Sequence, residues 1–197
     1  LDIEDIKIKT KISPLSKGGS NFETHVLFKK NNSELVIKPT FGLALFVAVF
    51  TIFSICFTGF PLYKLIHNKT GSWEFNTLLF VAVGLIFFCV SMYLLFNYFS
   101  PHGFDKTSNR YYRGFKSIQT KMSVDIKLTT IVAIQIIGET VSDEDGNFKS
   151  FELNIILNNA ERLNVIDHSN LRGIINDAEI LSEFLNIPIW HAESNKT

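Results

Sequence analysis

Two long apolar runs constrain this chain more than any other feature. Phe41 to Tyr63 contains no charged side chain, and neither does Phe75 to Ser100. At about 1.5 Å of rise per residue, a helix of either length crosses a hydrocarbon core of about 30 Å. Lys64 to Glu74, between them, is too short to fold and long enough to turn the chain. The expectation is a transmembrane helical hairpin over 41–100, with spans of about 41–63 and 75–100. All charged side chains except Lys64, Lys69 and Glu74 lie in the flanks, so the 46% hydrophobic content and formal charge of +0 average over two unlike regions.

The flanks, 1–40 and 101–197, differ in what they can do alone. Only the second is long enough to bury a core by itself, since chains below about 40 residues rarely do so without staples. About 40 mostly polar residues precede the first run, which therefore reads as a retained anchor and not a cleaved signal. Lys7, Lys9, Lys11, Lys17, Lys29, Lys30 and Lys38 precede the spans, and Lys106, Arg110, Arg113, Lys116 and Lys121 follow them, against Lys64 and Lys69 in the link. That bias predicts cytoplasmic termini and an external link, with Tyr63, Trp73, Tyr93 and Tyr98 as interfacial aromatics. Cys56 and Cys89 fall inside the spans, where a thiol acts as a small apolar side chain, so neither a disulfide nor a metal site is expected.

The flanks read mostly as strands. In Leu1 to Ile12, Ile6, Ile8, Thr10 and Ile12 alternate with lysines at the strand period, and Pro14, Gly18 and Gly19 mark a loop. Phe22–Phe28 and Glu34–Lys38 flank Asn31-Asn32, residues that tolerate the positive φ of a tight turn, and predict a β-hairpin that adds to the C-terminal sheet. Further short strands follow on both sides of Thr107-Ser108-Asn109 and over 118–128. An antiparallel meander then runs through 131–141, 148–157 and 162–166. Asp167-His168-Ser169-Asn170 supplies helix-capping residues, and Leu171, Ile174, Ile175, Ala178, Leu181 and Leu185 trace one face of an amphipathic helix. Pro188 stops it before Trp190, expected to be a partly buried anchor. Strands followed by one terminal amphipathic helix form the pattern of a pleckstrin-homology-like domain, giving a membrane α+β chain overall.

Candidate functional residues are few. Neither span contains Asp, Glu, Lys, Arg or His, the groups that ion and proton pathways normally need. An oligomeric pore would have to use Thr51, Ser54, Thr58, Ser91 and Asn97. Ala44 and Ala48, with Ala82 or Gly84 opposite, are the small residues expected to let the two helices approach. Three sequential residues cannot form a Ser–His–Asp triad, so Asp167-His168-Ser169 reads as capping. Asp143-Glu144-Asp145 reads as a solvated turn, lacking the alternating ligands of a calcium loop. Asn68-Lys69-Thr70 matches a glycosylation sequon but lies within about five residues of the first span, and is read as a chance match. Lys106, Arg110, Tyr111, Tyr112, Arg113 and Lys116 combine charge with aromatics and are candidates for contact with anionic lipid, beside the simpler role of setting topology. Nucleic acid is not an expected partner, because the C-terminal flank holds more acids than bases.

FDKTSNRYYRGF (104–115), FELNIILNNAERLNVIDHSN (151–170) and DAEILSEFLNIPIW (177–190), with THVLF and ELVIKPT ahead of the first run, resemble a family of uncharacterised bacterial two-span inner-membrane proteins. The likeness implies a bacterial inner-membrane location, a hairpin anchor with a C-terminal pleckstrin-homology-like cytosolic domain, and a non-enzymatic role without a cofactor or catalytic residues. The leading expectation is an anchored module that docks a protein or anionic lipid. An immunity protein that neutralises a membrane-acting toxin through the hairpin is the alternative; a pore or a small enzyme ranks below both, since no convergent set of titratable groups is visible.

Overall fold

The computed structural model describes residues 2–15, 18–67, 75–115, 123–143 and 146–191. Lys17, the Asn68-Lys69-Thr70 triplet, Trp73, Lys116, Lys121, Glu144 and Asp145 lie outside the described residues, as does the 118–122 portion of one expected strand. The chain divides into two compact units: 1–40 together with 101–197, and 41–100.

The first unit holds two sheets. Strands β1 (His25–Lys29), β2 (Glu34–Pro39), β3 (His102–Asp105), β4 (Arg110–Arg113) and β5 (Val124–Lys127) form one antiparallel sheet in that order. Strands β6 (Ile131–Asp143), β7 (Gly146–Leu157) and β8 (Arg162–His168) form an antiparallel meander, and the short β9 (Ile189–His191) adds to β6 in parallel, giving the order β8-β7-β6-β9. The two sheets belong to one core. Leu35, Phe104 and Tyr111 from the first pack with Ile134, Leu153 and Ile155 from the second, joined by Ile174, Ala178 and Leu181 of the helix α4 (Leu171–Leu185). Asn170 caps α4, its side chain accepting from the Gly173 N–H, and Asn186 ends it in the left-handed conformation, as expected for small polar residues at these positions.

The segment ahead of β1 departs from its strand-like reading. Residues Ile3–Lys9 form a short helix, α1, capped by Asp2, with Glu4 and Asp5 in its first turn and Lys7 and Lys9 in its last. Those charges complement the helix dipole, and only Ile6 and Thr10, four residues apart, are buried. Alternating isoleucine and lysine satisfied a strand period, but burial here is selected at i and i+4. The turn between β1 and β2 also forms differently. Positive φ is absent at Asn31 and Asn32; instead the Asn31 side chain accepts the Ser33 N–H at 2.8 Å, an Asx turn.

The second unit is two helices, α2 (Phe41–Ile66) and α3 (Phe75–Tyr98), both long and apolar enough to cross a membrane. Many of their large apolar side chains are exposed. The buried residues are Leu43, Val47, Ser54 and Thr58 on α2 and Gly84 and Ser91 on α3, whereas Phe46, Phe53, Ile52, Phe80 and Ile86 are exposed. One helix returns the chain beside the other, and Phe87 meets Phe50, Phe53 and Phe57 across the pair, with ring centroids 5.9–6.1 Å apart.

Candidate functional site

The residues singled out for lipid contact do not form one surface. Strand alternation sends neighbouring positions of β4 to opposite faces, and Tyr111 is fully buried against Phe104. Its expected place at a membrane interface is thereby corrected: it is a core aromatic, its hydroxyl 2.8 Å from His102 Nε2. Burial lowers the His102 pKa to about 3, with Arg113 and His25 adding to the effect, and raises that of Tyr111. Arg110 is held by Asp125, with its Nε 2.7 Å from one carboxylate oxygen and Nη2 on the other. Lys106 places its ammonium 4.4 Å from the Phe184 ring centre, and the Tyr112 hydroxyl reaches Glu34 at 3.4 Å. Local partners therefore engage most of the charge and polarity that the sequence offered to a head group.

The small residues expected between the helices divide similarly. Ala48 and Ala82 are exposed and Ala44 is half-buried. Gly84 alone of the four is buried: a Cβ there would lie 2.9 Å from both the Cα and the hydroxyl of Thr58. Thr51, Ser54 and Thr58 each donate to the carbonyl four residues earlier at 2.7 Å, and Ser91 donates to Thr51 Oγ1 at 2.8 Å. The hydroxyls considered for a pore line a seam inside the hairpin, with their donors committed to the hairpin itself.

A more organised polar arrangement lies on the second sheet, on the face opposite the apolar core. Ser150, Glu152 and Asn154, at alternate positions of β7, are each fully buried, and Gln135 on β6 nearly so. The segment following α1 covers them, and the contacts run from side chains of the sheet to the backbone of that segment. Glu152 Oε2 accepts the Leu15 N–H at 2.9 Å and Ser150 Oγ accepts the Ser20 N–H at 2.9 Å. Gln135 Nε2 donates to the Lys11 carbonyl at 3.2 Å and Arg162 Nη1 to the Ser13 carbonyl at 2.9 Å. The network closes sideways: Arg162 donates to Gln135 Oε1, Asn154 to Glu152, and Asn164 to both Asn154 Oδ1 and Asp167 Oδ1. Ile6 anchors the far end among Ala133, Ile156 and Trp190.

This face concentrates carboxylates. Burial raises the Asp167 pKa to about 6, with the Asn164 bond opposing and the charges of Glu152 and Glu139 adding to the rise. Glu139 is raised by burial and by Glu152, and its Oε1 is buried with no hydrogen-bond partner among the described residues. Arg162, the cation bonded within the network, is lowered by burial against the pull of Glu152. Sequence reasoning did not pick out this face. The signal is present as Gln135 inside the β-branched run 131–137 and as Ser150, Glu152 and Asn154, polar residues at alternate positions of a largely apolar strand.

On the other side of β8, His168 is fully buried, and burial lowers its pKa against the opposing influence of Glu23 and the Asn170 backbone. Asp177, on the inward face of α4, accepts the Leu27 N–H at 3.1 Å, and burial raises its pKa to about 6. The capping role falls to Asn170, two residues after His168.

Comparison with protein-family models, curated proteins and solved structures gave no match to this chain.

Proposed function

We propose that this chain is a membrane-anchored binding module. In this reading α2 and α3 span a bacterial inner membrane, both flanks lie on its cytoplasmic side, and the β-rich unit, of pleckstrin-homology-like type, docks another protein. One observation carries it. The hairpin is inserted between β2 and β3, which are hydrogen-bonded neighbours with Glu34 opposite Asp105 and Val36 opposite Gly103. Two apolar helices that leave one sheet and return to its adjacent strand make an even number of crossings, so a single β unit can assemble on one side of a bilayer.

The exposed surface supports the anchor: large apolar side chains such as Phe46, Ile52 and Ile86 face outward, while Ser54, Thr58, Gly84 and Ser91 are buried beside Leu43 and Val47, a distribution that suits helices solvated by lipid. The common core closed by α4 supports the pleckstrin-homology-like assignment. Protein is favoured over lipid as the docked partner because Arg110 is already paired with Asp125 and Tyr111 is buried.

Cysteine labelling tests the topology. With Cys56 and Cys89 replaced by alanine, Lys69→Cys should react with an impermeant maleimide in intact spheroplasts, and Ser108→Cys, on the exposed β3–β4 turn, only after lysis. Equal labelling of both, or recovery of the chain in the soluble fraction, refutes the anchor. A photocrosslinking residue at Glu161, exposed beside Arg162 at the edge of the polar face, should give a discrete protein adduct and one at Phe53 only lipid. A protein adduct confined to Phe53 would overturn docking by the β unit in favour of a hairpin that meets a membrane-acting toxin.

A further inference from the structure

We infer that the polar face of the second sheet is a peptide-binding site occupied in cis by the chain's own residues 2–15 and 18–20, and that this strap is displaced by a peptide segment of another protein. The inference rests on reading the β unit as a binding module and names its site. Four observations converge on it.

The first is the mode of contact. Glu152, Ser150, Gln135 and Arg162 reach N–H and C=O groups of the strap's backbone. Contacts of that kind recognise a peptide main chain and place almost no demand on its side chains. The second is the anchor: Ile6 is the strap's one buried large apolar side chain, seated among Ala133, Ile156 and Trp190. Together these define the ligand as a short helical turn bearing one aliphatic residue, followed by a non-helical tail that is held through its backbone.

The third observation is how little else holds the strap. Ile3, Ile8, Ile12 and Leu15 are all exposed, Ile8 to 81%, so most of its apolar surface gains nothing from docking. The fourth is the imperfect fit at its end. Gly19 packs directly on Ser150, where a Cβ would overlap the hydroxyl, and beside it Glu139 Oε1 is buried without a hydrogen-bond partner among the described residues. A buried acceptor left unsatisfied opposes closure. Such a cover is suited to exchange, and an incoming peptide that supplies a donor to Glu139 would outcompete it.

The test uses the full-length protein in detergent micelles and a fluorescent synthetic peptide with the sequence of residues 2–15 as probe. Ile6→Asp removes the anchor in cis while the probe retains it, so this variant should bind the peptide at least ten-fold more tightly than the wild type. Adding Glu152→Ala should abolish the gain. Absence of probe binding by an Ile6→Asp protein whose circular dichroism is unchanged overturns the inference. A wild-type protein that forms concentration-dependent dimers abolished by Ile6→Asp also overturns it, since the occupant is then the segment of a second copy. Hydrogen exchange on the wild type covers the case in which Ile6→Asp does not fold. The Leu15 and Ser20 amides should exchange at least a hundred-fold faster than that of Ile134 in the sheet interior, and equal protection refutes a displaceable strap. Cysteine labelling reports the anchor separately, so loss of the peptide site with correct insertion refutes only the site.

Discussion

Burying Asp177 between α4 and β1 couples the stability of the β unit to pH in a defined direction. Its folded pKa of about 6 lies above the ordinary 3.8, as does that of Asp167. A raised pKa contributes stability that is complete below the unfolded value and is lost as pH climbs through the folded one. The pair should therefore favour the fold at about pH 4 and oppose it above about pH 6. His102 acts in the opposite sense: its lowered pKa contributes stability above its unfolded value that is lost as acid is added, so the raw pH profile mixes the two. A difference measurement separates them. Asp177→Asn keeps an oxygen for the Leu27 N–H and removes the charge, so it should stabilise the protein by about 1–3 kcal/mol at pH 7.5 and have little effect at pH 4. Thermal unfolding of both proteins at the two pH values checks this, and an equal shift at each pH would show that ionisation is not the cause.

Among the elements, the helical hairpin offers the sharpest contrast between equivalent-looking residues. Gly84 faces Thr58 with no room for a side chain, whereas Ala82, two positions earlier, is exposed. Gly84→Leu should separate the helices and destabilise the hairpin by about 1–3 kcal/mol, the usual cost of overpacking, while Ala82→Leu should stay within about 0.5 kcal/mol. Titration of the purified protein with SDS distinguishes them; similar midpoints would mean that the Gly84 contact does not hold the helices together. The same contrast explains what was legible in the sequence. Length and absence of charge located α2 and α3, and apolar periodicity located α4, because those signals are local. Which small residue meets the neighbouring helix depends on the crossing, which composition does not encode, so Gly84 emerged while Ala48 and Ala82 did not. Residues 3–9 are ambiguous in the sequence because isoleucine and lysine alternate there, and a seven-residue helix is too short for periodicity to decide. The three residues of β9 pair in parallel with β6 across a helix, a contact with no local signature. The strap site escaped for a related reason: alternation marked the polar face of β7, but its cover comes from a segment more than a hundred positions away in the chain.

For the whole molecule, connectivity makes the strongest statement. The β unit draws on both sides of the hairpin, and β2 pairs with β3 as an ordinary antiparallel neighbour. Adjacent antiparallel strands lie about 5 Å apart and are commonly joined by loops of two to five residues, so the sheet itself does not require the sixty-residue insertion. Replacing residues 41–100 by a turn of about four residues, such as Gly-Asn-Gly-Ser between Thr40 and Pro101, should yield a protein soluble without detergent. It should unfold in one cooperative transition, because Leu35, Phe104, Ile134, Leu153 and the apolar face of α4 share a single core and nothing in that cluster comes from α2 or α3. Chemical shifts of the β6 and β7 amides that match those of the full chain in micelles would show the unit to be self-sufficient. A molten or aggregated product would mean that the hairpin is needed to bring β2 and β3 together. The excised protein should still bury Tyr111 and hold residues 15 and 20 through Glu152 and Ser150, since those contacts also lie wholly within the unit, which would separate the polar face from the hairpin.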